Sequence, residues 1–232
     1  MHAHVARTQV CSDPAGLFGS ETMSIAAPSP VFAAATPAVR APAFADSHER
    51  IIDAGYRLFC RRAIRDVAMD EVVLASGVAK ATLYRHFPTK DDLVLAILKR
   101  RETDWTFGII DSGVRSLCDQ PEDRLLAIFE VFDGWFQRED YEACTFVKVI
   151  LEMGADHPLG RASFAHLATV SSIVAGFAAE AGLTEPEEFA RSWLILMKGC
   201  IVQAAAGDPR AARRARTMGE LVIAANRAAA SN

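Results

Sequence analysis

Beyond residue 46 the apolar positions fall at helical spacing, and nowhere does the chain alternate with the period of two that a half-buried strand needs. Residues 70–76 (DEVVLAS) read as one short helix with Val72, Val73 and Leu74 as its apolar contacts. Gly77 then supplies the left-handed residue that ends a helix without a Cβ clash, and Val78 is the buried pin of the turn. In residues 80–87, Leu83 and Phe87 lie four apart on a core face, which leaves Lys80, Thr82, Arg85 and His86 outside. Pro88 stops this helix, and Thr89 caps the next, with Asp92 completing a variant of the capping box. Lys90 falls in an exposed first turn, where a cation opposes the helix dipole and needs another reason for its place. A nearby phosphate is one such reason.

The remainder reads as helix throughout. Residues 91–117 predict a long connecting helix, with Gly108 and Gly113 as points of interruption. Pro121 opens another, whose Leu125, Phe129, Phe132 and Phe136 form one stripe with Trp135 beside it. Across 139–153, Cys144, Val147 and Leu151 share one face and Phe146, Ile150 and Met153 another, so burial between neighbours is expected. Pro158 begins a helix to about residue 181, ended by Gly182, and Glu185-Pro186-Glu187 starts the next, through Trp193, Leu196 and Met197 to Gly207. Asp208 and Pro209 cap a last helix carrying Met218, Leu221, Val222 and Ala225. The expected fold class is all-α, with about nine helices.

Residues 1–45 are different: Ala, Pro and Ser dominate (AAPSPVFAAATPAVRAPAFA), which predicts a disordered tail. Its only cations are Arg7 and Arg40, so its contribution to any groove contact is small, and Met23 offers a second start. The tail lacks the basic start and continuous apolar core of a signal peptide, and no later segment reaches the uninterrupted apolar length of a membrane span. A cytoplasmic protein without a membrane partner is expected. With 51% apolar residues the chain has material for a substantial core, and a formal net charge of -4 excludes a generic binder of polyanions. Cations are instead concentrated between residues 50 and 90, where Arg50, Arg57, Arg61, Arg62, Arg65, Lys80, Arg85 and Lys90 face only Asp53, Asp66, Asp70 and Glu71. The five cysteines (Cys11, Cys60, Cys118, Cys144, Cys200) are odd in number and show no metal-ligand spacing. They read as reduced thiols, with Cys60, Cys144 and Cys200 as small core residues and a thiol sensor at Cys144 as the alternative. No metal or cofactor is called for.

The run Leu83, Tyr84, His86, Phe87 and Lys90, at fixed distance from Gly77-Val78 and preceded by Ile51, Ile52, Ala54, Gly55, Leu58 and Phe59, resembles the amino-terminal pattern of the tetracycline-repressor (TetR) family of transcriptional regulators. The resemblance covers roughly residues 46–105. Three departures stand out. Ala63 replaces the glycine that usually follows the first helix, so the stop must be reached by another route or with strain. Ala68 and Ala79 replace hydroxyl residues at two helix starts, each losing a cap of about 1 kcal/mol. Asp70 stands where the family often has a cation, and would repel DNA if it faced it.

What the resemblance implies can be stated by residue. Residues 1–45 are the tail, 46–105 a three-helix DNA-binding domain with its helix-turn-helix at about 68–87, and 106–232 a helical bundle for ligand binding and dimerisation. Lys80, Ala81 and Thr82 start the recognition helix, where side chains reach bases or phosphate, Lys80 being the first choice for guanine. Tyr84, His86 and Lys90 clamp the sugar-phosphate backbone, and Arg85 serves either purpose. For Tyr84 a half-buried core tyrosine, and for Lys90 a solvated charge, are the alternatives. Gly199, Ala204, Ala205, Ala206, Gly219, Ala224 and Ala225 allow close approach of the last two helices to those of a second copy, giving a homodimer on a palindromic operator. Trp105, Phe107, Phe132, Phe136, Val147, Leu151 and Met197 are candidates to line a pocket for an apolar or aromatic effector, although each taken singly reads first as packed core. Glu152 and His166 are possible polar anchors, against a solvent-facing Glu and a satisfied His. The implied function is a repressor released by that effector; an activator, a ligand-independent regulator, and more remotely an all-helical enzyme or partner-binding module are the alternatives.

Overall fold

The computed structural model describes residues 46–139 and 141–227, and the expected tail lies outside the described residues. The described residues form nine helices, which we number α1 (Ser47–Arg61), α2 (Met69–Ser76), α3 (Lys80–His86), α4, α5 (Pro121–Phe136), α6 (Thr145–Met153), α7 (Pro158–Glu180), α8 (Pro186–Ala205) and α9 (Ala211–Asn226). A 3-10 turn, Ile64–Asp66, links α1 to α2. Helix α4 is continuous but changes its winding: Lys90–Arg101 is α-helical, Glu102–Gly113 has the wider π winding, and Val114–Leu117 returns to α. The expected interruption at Gly108 and Gly113 is therefore a change of pitch within one rod.

Two apolar clusters organise the helices. The larger fills the bundle of α4, α5, α7, α8 and α9, around the fully buried Phe129, Phe132, Phe177, Phe189 and Trp193. Helix α9 can lie close over it because Gly219 has no Cβ: one placed there would sit 2.7 Å from the Trp193 ring. The smaller cluster joins α1, α2, α3 and the start of α4 through Ile51, Ala54, Phe59, Val72, Leu83, Phe87 and Leu93, and takes in Phe146 and Val149 of α6 and Leu159 of α7. Leu83 and Phe87 are thus core, as their spacing predicted. Leu74 is not: it is 85% exposed.

Other expectations change in detail. Helix α6 begins at Thr145, not residue 139, with Cys144 extended before it. Its Phe146 and Val149 are buried, while Leu151 on the other side is 81% exposed. Helix α7 is long and apolar enough to cross a membrane by length and composition, contrary to the expectation that no segment is. In the fold it packs against α4, α5, α6 and α8. Cys60, Cys144 and Cys200 are free, and burial pushes the thiols of Cys60 and Cys200 up to about 12. Cys118, expected as a thiol, is disulfide-bonded.

Candidate nucleic-acid interface and junction cavity

The three-helix head is fixed at its turn by a backbone that only glycine adopts easily. Gly77 has φ +64°, and the Arg50 guanidinium donates to the carbonyls of Ser76 (2.7 Å) and Gly77 (3.0 Å), closing the end of α2. Ala68 offers no capping side chain, but the Glu71 carboxylate accepts the Ala68 N–H at 2.9 Å and so completes half of a capping box. Glu71 also pairs with Arg62, whose hydrogen bond is the largest of the effects holding this carboxyl below its ordinary value. At the start of α4, Thr89 and Asp92 cap each other's backbone as expected, at 2.9 and 3.1 Å.

The predicted DNA contacts separate into two groups. Lys80, Ala81, Tyr84 and Arg85 are exposed on one short helix, with Thr82 half-buried among them. Asp70 meets Lys80 at 2.7 Å, and this hydrogen bond, followed by its charge, raises the lysine above its ordinary value. The supposed repulsive Asp70 is therefore neutralised within the free head. His86 and Lys90 are turned to the protein. The His86 Nε2 lies 2.9 Å from the Ser47 hydroxyl and the ring sits edge-on to His48. The Lys90 ammonium donates to the carbonyls of Ile64 (2.8 Å) and Val67 (3.1 Å). The reason for a cation at this helix start lies inside the chain, in two carbonyls of the 3-10 turn, and the lysine is half-buried rather than exposed.

That turn is held from the other side by α6, through Lys148, which the sequence did not single out, and Glu152, expected as a polar anchor or a solvent-facing carboxylate. No left-handed residue ends α1: Arg62 and Ala63 are extended (φ -128° and -62°), so alanine carries no strain there. The carbonyls left open at the end of α1 are taken by Lys148, which donates to Phe59 (2.9 Å), Cys60 (3.0 Å) and Arg62 (2.8 Å). One helical turn further along α6, Glu152 accepts the N–H groups of Ile64 and Arg65, both at 2.9 Å. The i, i+4 pair thus places a cation at a helix C-terminus and an anion at the following N-terminus, each complementing the local dipole. Burial raises the Glu152 carboxyl, but the two amides and Arg65 outweigh it and hold it below its ordinary value. Glu152 is neither solvent-facing nor free to orient a ligand. His166 is also satisfied, 2.8 Å from Glu102, a buried carboxylate that Lys99 and Thr169 also reach.

The seven predicted ligand contacts do not converge. Trp105, Phe132 and Met197 are 8%, 1% and 1% exposed around an interior cavity of only about 20 Å³, and Trp105 packs on Trp135 with ring centroids 4.4 Å apart. Phe136 joins the same aromatic group, whereas Phe107 points outward. Val147 and Leu151 instead line a second cavity of about 480 Å³, at the junction of α6, α8 and the link after α1. Its wall includes Ala63 and Arg65 from the head, and Cys144, Lys148, Glu152, Lys198, Ile201 and Val202. Lys198, which the sequence did not single out, lies 3.8 Å from the Cys144 sulfur. The signal for this cavity, charged residues of α6 and α8 brought beside the link after α1, is invisible without the tertiary contacts.

A short exposed helix bearing basic residues, presented by a glycine-fixed turn on a three-helix head, defines a helix-turn-helix protein. Residues 51–97 match the model of the bacterial regulatory proteins of the tetR family, so the likeness to that family lies in the head. Among curated proteins, an uncharacterized HTH-type transcriptional regulator of Bacillus subtilis is 39% identical over 54 residues, 23% of this chain and 24% of the relative. The HTH-type transcriptional activator FasR of Mycolicibacterium smegmatis is 30% identical over 90 residues, 39% of this chain and 40% of the relative. The chain spans about a quarter of the length of the first of these, and the likeness lies in the head. Solved structures share the fold over a larger part of the chain. A TetR-family regulator from Streptomyces coelicolor superposes with a TM-score of 0.71 at 24% identity, covering 78% of this chain and 95% of that one. The reduced form of NemR from E. coli does so with 0.68 at 20% identity, covering 77% and 97%.

Proposed function

We propose that the protein is a dimeric, sequence-specific DNA-binding transcriptional regulator, a repressor released from a palindromic operator by a small molecule. The observation that carries this is the exposed face of α3, where Lys80, Ala81, Tyr84 and Arg85 stand clear of the head while Leu83 holds the helix to its core. In this reading residues 46–105 bind DNA and residues 106–232 bind the effector and a second copy. Lys80, Ala81, Thr82 and Arg85 face base edges or phosphate, Tyr84 faces the backbone, and His86 and Lys90 brace the helix that presents them. Dimerisation is supported by the last two helices, which expose Ile195 (73%), Val202 (58%), Met218 (52%) and Leu221 (69%), a run of large apolar groups unusual on a monomer's surface. Gly199 and Ala225 lie exposed on the same helices, whereas Gly219 serves contacts within the chain.

The i, i+4 clamp from α6 supplies the route from bundle to head. A ligand that shifts α6 shifts the carbonyls and amides held by Lys148 and Glu152, hence the angle at which α3 meets DNA, and by linkage DNA weakens that ligand equally. The test is binding of the full chain to its own upstream DNA against a scrambled duplex across a salt series, with Lys80→Glu/Arg85→Glu as the variant. Selective, salt-sensitive binding lost in the variant is expected; equal binding to both duplexes, with no site enriched from random sequence, would sink the reading. Lys90 is left intact because its two carbonyl contacts make a charge reversal there a folding change. One relative, FasR, is named an activator, which favours activation as the second reading. The direction of change of a reporter on deletion of the gene separates the two.

A further inference from the structure

We infer that the junction cavity, not the aromatic interior, is the effector site, and that its ligand is an apolar monocarboxylic acid whose acid group pairs with Lys198. The inference rests on the regulator reading for the word effector, but the ligand chemistry follows from the cavity alone. The aromatic interior holds about 20 Å³, far below the few hundred Å³ that a small-molecule site needs, whereas the junction cavity holds about 480 Å³. Four charged side chains border it, and three are already engaged. Lys148 is held by three carbonyls, and Glu152 by two amides and Arg65. The Lys198 ammonium has only the Cys144 sulfur at 3.8 Å, a weak acceptor, and no carboxylate partner among the described residues. An ammonium with open donors beside a wall of Val147, Leu151, Ile201 and Val202 matches a ligand with one anionic end and a hydrocarbon body. A cationic ligand would meet Lys148, Lys198 and Arg65; a neutral one could accept a hydrogen bond from Lys198 but would leave its charge uncompensated. Val147 and Leu151 alternate along α6 with the clamp residues Lys148 and Glu152, so the body of the ligand rests on the helix that grips the head.

The probes are octanoate, decanoate and 2-naphthoate, with decanol as the neutral control, titrated calorimetrically into the full chain. At least one acid is expected to bind once per chain and at least tenfold more tightly than decanol. Lys198→Met should remove that preference while leaving decanol unchanged. Leu151→Trp, at a surface position that bears no core load, should weaken acid and alcohol together by filling the mouth. Saturable binding by none of the acids, or acid binding indifferent to both variants, would overturn the inference. Operator binding is measured beside it: acid binding that depends on Lys198, in a chain that selects no DNA, supports the site while removing the regulator reading. Operator binding unaffected by a saturating acid overturns the effector assignment.

Discussion

The bundle and the head are stabilised by different means. In the bundle, rings do the work: Phe129 lies 5.2 Å from Trp193, which stacks on Phe189 at 5.1 Å, and large apolar side chains interlock around them. In the head, the helices are short and the core is mostly aliphatic, so charged side chains close the backbone at several joints. Arg50 closes the turn of the helix-turn-helix, Lys90 the 3-10 turn, and Glu71 the start of α2. Two of the fasteners, Lys148 and Glu152, belong to α6, and so do two members of the head's apolar cluster, Phe146 and Val149. The head is therefore not closed on itself. Its geometry is partly set by the domain that would sense a ligand, which is the physical requirement for coupling between them.

The contrast can be broken most severely in the bundle. Phe129→Ala removes a ring at 1% exposure, and a loss of about 3–5 kcal/mol is expected from urea unfolding, with both regions melting together. Next comes the clamp: Lys148→Met leaves carbonyls without donors, and about 1–3 kcal/mol of stability should go. Operator affinity should fall with it even though Lys148 lies outside the recognition surface. If stability falls and DNA binding is untouched, the clamp is a fastener only.

Acid acts on the same joint. Because the Glu152 carboxyl is held below its ordinary value in the fold, its contribution is fully present above the unfolded value of about 4.3 and is lost as pH falls through the depressed native one. The difference in unfolding midpoint between the parent chain and Glu152→Gln should be clear at pH 7 and shrink toward pH 3; a constant difference would mean that the amides do not depend on the charge. The smallest effect is expected at the surface. Asp70→Asn frees Lys80 from an exposed ion pair and should tighten operator binding by about threefold, with no change in unfolding midpoint.

Much of this was legible in the chain because it depends on neighbours in sequence. Gly77 announces a left-handed turn by having no Cβ, Thr89 and Asp92 cap each other three residues apart, and the four-residue spacing of Leu83 and Phe87 buries one side of α3. The stripe from Leu125 to Phe132 likewise named the inner face of α5. The site was less legible. Lys90 resembled a phosphate clamp until its ammonium was found between two carbonyls contributed 26 and 23 residues earlier. Trp105 and Phe132 resembled a ligand wall, yet their rings fill the space they were expected to enclose. Leu74 resembled core and faces water because α2 is covered on one side only.

The sequence by itself determined that the chain would be helical, where most of its helices begin and end, and which face of α3 would be left outside, since helix periodicity, caps and turns are set within a few residues. Only the tertiary structure decided which charges would be used up on the backbone and which would stay free. That choice depends on carbonyls and amides brought from residues 59–65 to α6, 86 to 89 positions away, and a buried polar group takes whichever partner the packing leaves within about 3 Å, not the one its own segment suggests.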